Sequence, residues 1–161
     1  MSSDPRHGRR ALCLGALALA GCGFTPALAP GGSALVLRDR VAVVAPATIP
    51  GFTLRAVLEE RLGRGTGPYT LTVGVDEALE AAARSRRGDT LRYSLVGVAG
   101  WTLSDADGRA LGTGEVESFT GYAASGSTVA TQTAATDARG RLMTILADRI
   151  VADLTLLDLP R

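Results

Sequence analysis

The sequence predicts an α/β fold: a two-layer sandwich with two amphipathic helices on one face of a four-stranded sheet, in the order β-α-β-β-β-α. Three observations carry this. Leu54, Val57, Leu58 and Leu62 recur at a helical period, as do Ala135, Ala138, Leu142, Ile145, Leu146 and Ile150. Between those stripes, Tyr69–Val75 and Thr90–Leu103 alternate apolar and polar residues, the period of a half-buried strand. Ser104–Gly108 then turns the chain, with Asp107-Gly108 as a strong hairpin signal. Each helical stripe must cover an apolar surface, and a sheet with one apolar face supplies it.

The elements follow in order. Leu35–Leu37 and Val41–Ala45 are β-prone, and Arg40–Ala45 is the first strand, ended by Pro46 and Pro50. The period then changes to helical over Gly51–Gly65, with Gly63 and Gly65 as its stop. Gly63-Arg64-Gly65-Thr66-Gly67 is glycine-rich, but it follows a helix and precedes a strand. A dinucleotide loop needs the reverse order, so this run reads as a flexible turn. In Tyr69–Val75 the residues Leu71, Val73 and Val75 share one face. Asp76–Arg84 either prolongs that strand or forms a short helix, which its alanines favour locally.

Thr90–Leu103 places Leu91, Tyr93, Leu95, Ala99, Trp101 and Leu103 on one face. Arg109–Tyr122 returns as the last strand. Val116 and Phe119 are three apart there, so a bulge near Glu117-Ser118 is expected to restore the phase. Gly121–Thr128 reads as a small-residue loop, and a long helix runs from about Val129 to about Leu154.

The region before the domain has its own pattern. Arg6, Arg9 and Arg10 precede an apolar run, Ala11–Ala20, that is too short to span a bilayer. Leu19-Ala20-Gly21-Cys22 closes that run in the manner of a bacterial lipobox. Residues 1–21 are thus expected to be a lipoprotein signal peptide, residues 22–34 a lipidated Cys22 with a flexible tether, and residues 35–161 a single α/β domain. Two or more acyl chains on Cys22 would anchor the protein stably.

Removing residues 1–21 takes +2 from a chain of +1, leaving −1. A near-neutral chain has no general electrostatic pull on nucleic acid. All 17 basic residues are arginine. His7 and Cys13 leave with the signal peptide, and Cys22 carries lipid, so no intrachain disulfide forms. Serine, cysteine and most zinc chemistries then lack their usual base or ligand. Asp76-Glu77 and Glu115/Glu117 are the nearest approach to paired carboxylates, and exposed strand charges explain them more simply. Asp105 and Asp107 lack the rest of a calcium loop and read as a hairpin turn. No metal and no cofactor beyond the covalent lipid is expected, and the chain reads as a binding or structural protein rather than an enzyme. Arg84, Arg86, Arg87 and Arg92 form the one concentrated positive feature. They suit the phosphates of a lipid headgroup or glycolipid, or a merely solvated hairpin tip.

An ordered set of segments resembles the lipopolysaccharide-assembly lipoprotein family (LptE-like), in its alphaproteobacterial form. These are Cys22-Gly23-Phe24-Thr25-Pro26, Tyr93-Ser94-Leu95, Phe119-Thr120-Gly121-Tyr122, Ser125–Thr131, Asp137-Ala138-Arg139 and Arg141–Asp148. The family's fold, two helices on a four-stranded sheet, agrees with the order derived above. The resemblance implies an outer-membrane lipoprotein on the periplasmic side. Such a protein plugs and helps assemble a β-barrel translocon (LptD-like) and aids delivery of lipopolysaccharide to the outer leaflet. It implies that Gly23 sorts the lipoprotein to the outer membrane. Assigning Arg84, Arg86, Arg87 and Arg92 to lipopolysaccharide contact rests on charge alone. The competing class is a periplasm-facing lipoprotein that binds a small ligand or soluble partner without a barrel.

Overall fold

The computed structural model describes residues 36–84, 90–124 and 127–159. The elements run β1 (Val41–Val44), α1 (Ile49–Leu62), β2 (Tyr69–Arg84), β3 (Thr90–Ser104), β4 (Ala110–Ala123) and α2 (Thr128–Thr155). The predicted β-α-β-β-β-α order is therefore observed. The sheet order is β1-β2-β3-β4, with β1 parallel to β2 and the other pairs antiparallel. Both helices lie on one face, making the two-layer α/β sandwich.

Each helix starts where its sequence caps it. Thr48 Oγ1 accepts the Gly51 amide at 3.2 Å, and Pro50 sits in the first turn of α1, where its missing N–H costs nothing. Pro50 is thus a helix starter, and α1 begins at Ile49 rather than Gly51. Ser127 Oγ accepts the Ala130 amide at 3.2 Å at the start of α2. Leu54, Leu58 and Leu62 of α1 and Leu142, Leu146, Ile150 and Leu154 of α2 are buried against Leu71, Val73, Ala99, Trp101 and Leu103 of the sheet. Met143 and Ala147 join that core, whereas Ile145, placed in the stripe by period alone, is 37% exposed.

One open alternative is decided and two further expectations are corrected. Asp76–Arg84 continues β2 because β3 pairs with it, in unbroken register from Asp76↔Val98 to Ala81↔Tyr93 and, past two register shifts, to Arg84↔Thr90. Tertiary pairing overrides the helix preference of its alanines. No bulge occurs at Glu117-Ser118. The β3–β4 register is unbroken from Arg92↔Ala123 to Leu103↔Gly112, and the shift lies between Leu103 and Ser104. Ser118 is the buried inward residue, and Phe119 faces out at 72% exposure. Val36 and Leu37 form a helical turn rather than extended chain, with Leu37 buried.

The glycine run after α1 is also packed, not loose. Gly63 has φ 84, and the Asp39 amide donates to Leu62 O at 2.7 Å, closing the helix end. A Cβ on Gly65 would lie 2.5 Å from the Asp39 backbone, and one on Gly67 would lie 2.5 Å from Arg40 O. The glycines let this turn lie directly on the chain that enters β1. Arg40 then stacks its guanidinium 5.6 Å from the Tyr69 ring centre.

Candidate functional site

The polar groups arrange themselves on three surfaces. The first is the sheet face opposite the helices. Here Thr72, Gly74 and Asp76 of β2 meet Thr102, Gly100 and Val98 of β3. Glu115 and Glu117 pair with Gly100 and Val98 from the other side, and Phe119 pairs with Val96. A Cβ at Gly74 or Gly100 would meet nothing within 4 Å, so this face is open. It is mostly polar, with one apolar row at Ala78, Val96 and Phe119.

The second surface is the end of the β2–β3 hairpin. Arg84 pairs with Thr90 in the ladder, and Arg92 is an exposed β3 residue opposite Ala123. The rest of the arginine cluster, Arg86 and Arg87, lies outside the described residues, as does Cys22. Tyr93 and Tyr122 stack on the inward face near this end, with ring centres 5.4 Å apart.

The third surface is the free edge of β4, which sequence reasoning missed. The Ala124 amide donates to Leu91 O at 3.0 Å, which sets even-numbered β4 residues to bond β3. Odd-numbered residues then aim their amides and carbonyls away from the sheet. Two arginines of α2 reach those carbonyls. Arg149 donates to Glu117 O, and Arg141 donates to Gly121 O at 3.5 Å. Eight helical residues rise about 12 Å and four strand residues about 14 Å, so helix and edge keep step. The signal in the sequence is the i, i+4, i+8, i+12 line Arg141, Ile145, Arg149, Asp153, but its meaning needs the strand order.

Reactive chemistry is sparse. No group of three His, Cys, Asp or Glu side chains that could hold a metal occurs among the described residues. The adjacent Asp76 and Glu77 face opposite sides of β2. Glu77 is part-buried and takes Arg139 Nε on both oxygens, at 2.8 and 2.9 Å. Glu115 and Glu117 are exposed on the open face. Asp105 Oδ1 accepts the amides of Asp107 and Arg109 at 3.0 and 2.9 Å, an Asx-type turn that closes the hairpin as expected. Asp148, at 2.9 Å, joins α2 to Arg61 of α1 and holds that guanidinium's pKa above its ordinary value, by hydrogen bond first and charge second. No described helix is long and apolar enough to cross a membrane.

Known structures share this fold. A candidate lipoprotein from Caulobacter crescentus CB15 is 22% identical, with a TM-score of 0.60 over 76% of this chain and 92% of that one. Lipoprotein B from Nitrosomonas europaea is 15% identical, with a TM-score of 0.57 over 83% and 90%. Rare lipoprotein B from Shewanella oneidensis is 11% identical, with a TM-score of 0.55 over 72% and 93%. At these identities the likeness is one of fold. A comparison with curated protein sequences finds no match. Residues 39–154, from the turn before β1 to the last turn of α2, match the family described as LptE, lipopolysaccharide-assembly. The chain belongs to the LptE lipopolysaccharide-assembly family.

Proposed function

We propose that this protein is an outer-membrane lipoprotein that plugs and helps assemble a β-barrel lipopolysaccharide translocon, with no catalytic role. The observation that carries the reading is the family match across the whole sandwich. The structure is compatible with it. A plug must be rigid and wettable, and here one sheet face is open and mostly polar while both helices bury most of their apolar stripes. The test is a tagged pull-down from detergent-solubilised outer membranes of the native host. Recovery of one large, heat-modifiable β-barrel in near-equal amount is the expected result. Recovery of the lipoprotein alone, with normal barrel levels in its absence, would replace the plug with a ligand-binding lipoprotein.

Two site assignments belong to the same proposal. Cys22 carries the lipid that holds the domain at the periplasmic side of the membrane. Cys22→Ser is expected to move the protein from the membrane pellet to the soluble fraction on ultracentrifugation, and unchanged pelleting would remove the anchor. Arg84, Arg86, Arg87 and Arg92 meet lipopolysaccharide phosphates. Changing all four to Ser is expected to weaken endotoxin binding at least tenfold at low salt, since charge-assisted contacts to phosphate are lost. Equal binding by both proteins would sink that assignment.

A further inference from the structure

The β4 edge is a long unpaired border of the sheet. It runs in unbroken register from Gly112 to Ala123 without proline or bulge. Edges of this kind are templates for another strand, and proteins that do not use them shorten, bend or cover them. At the opposite border β1 covers only Tyr69–Thr72 of β2, and the rest of the β2 edge is broken by register shifts between Ala81 and Arg84. Among the described residues, side chains reach the outward carbonyls of β4 at Glu117 and Gly121, and both are arginines that can swing away. A groove of about 570 Å³ lies alongside, bounded by Glu115–Phe119 and by Arg149, Ala152 and Asp153.

We infer that the β4 edge is a strand-addition site for an extended segment of a partner protein. The surrounding charges define that segment. Glu115 and Glu117 stand two residues apart on the open face, with no ion pair among the described residues. A paired strand therefore carries basic residues two apart on that side, followed by an apolar residue across from Phe119. On the helix side it meets Arg141 and Arg149, so it carries acidic residues there. Its backbone amides replace the guanidinium groups at Glu117 O and Gly121 O, and its carboxylates take up the released arginines. Charge disfavours a second copy in the register that would centre the two acidic residues. Antiparallel self-pairing centred on Val116 would set Glu115 against Glu117 of the other copy.

The inference rests on the plug reading only for the partner's identity, which would be the barrel. The test uses full-length protein in native outer membranes, with photoreactive benzoylphenylalanine in place of exposed Thr113 on β4 or exposed Ala56 on α1. The expected result is an adduct from position 113, mapped by mass spectrometry to a segment with the stated charge alternation. Phe119→Pro removes one outward amide without touching the β3 ladder and should lower the adduct yield at least tenfold. Phe119→Ala, which keeps the amide, should change it less than threefold. If Phe119→Pro lowers the melting temperature, the double variant Glu115→Arg, Glu117→Arg supplies the same comparison, again with at least a tenfold fall expected.

Undiminished yield in a folded Phe119→Pro or charge-reversed protein overturns the inference. So does a position-113 adduct of twice the chain mass. An adduct to the barrel from position 56 alone overturns the edge site and leaves the plug standing. A Pro-sensitive adduct at position 113 to an extended segment of another polypeptide, with no barrel recovered, upholds the edge site and overturns the plug.

Discussion

Gly67→Ala is expected to lower the melting temperature by roughly 10 °C, corresponding to about 3 kcal/mol for a domain of this size. The reason is local. The added Cβ would lie 2.5 Å from Arg40 O and 2.6 Å from Arg40 Cα, and backbone cannot rotate out of the way as a side-chain tip can. Arg40 immediately precedes β1, and its carbonyl accepts the Tyr69 amide at 3.3 Å, next to the Val41↔Tyr69 pair. Moving Arg40 aside therefore unzips the parallel pair from its first rung. Gly74→Ala is the control, because its Cβ would meet nothing within 4 Å. Thermal denaturation by circular dichroism reads both. A Gly67→Ala protein melting within about 2 °C of the parent would show that the turn yields after all.

The second large effect concerns the contact between α2 and the middle of β3. Leu142 is fully buried, and its Cδ2 lies where a Gly97 Cβ would come within 2.9 Å. Leu142→Ala removes three buried carbons from this seam and should cost about 3 kcal/mol, as transfer and cavity terms combine. Gly97→Ala in the parent pushes against that Leu142 methyl and gains little. In the Leu142→Ala background the same Cβ enters the vacated space and adds a better strand residue than glycine. The double variant is thus expected to be more stable than Leu142→Ala by roughly 1 kcal/mol. Urea denaturation of the four proteins gives the coupling directly. Strict additivity would mean that Gly97 and Leu142 do not share the seam.

Much of this architecture was legible because its periods are clean. Leu54, Leu58 and Leu62 announce α1, and the alternation through Leu95, Ala99, Trp101 and Leu103 announces β3. Where the pattern was ambiguous, partners outside the segment decided the outcome. Asp76–Arg84 became strand because β3 lies beside it, which its alanines do not record. A bulge at Glu117-Ser118 would bring Phe119 into phase with Val116, yet the unbroken register turns Phe119 outward and puts Ser118 in the core face. Of the candidate site, the Arg84–Arg92 cluster was visible as a charge run. The roles of Arg141 and Arg149 were not, because nothing in their helical spacing says which strand forms the border of the sheet. The Glu77–Arg139 pair was hidden for the same reason, its members being 62 positions apart.

The parity of β4 has a consequence for how its amides meet solvent. Even-numbered amides from Gly112 to Tyr122 are locked into the β3 ladder, while odd-numbered amides face outward. Deuterium uptake along β4 should therefore follow a sawtooth, with slow residues alternating with fast ones. Along β3, which is flanked on both sides, protection should be continuous. Filling of the fast teeth on assembly would time the closing of that border, residue by residue, without any label on the partner.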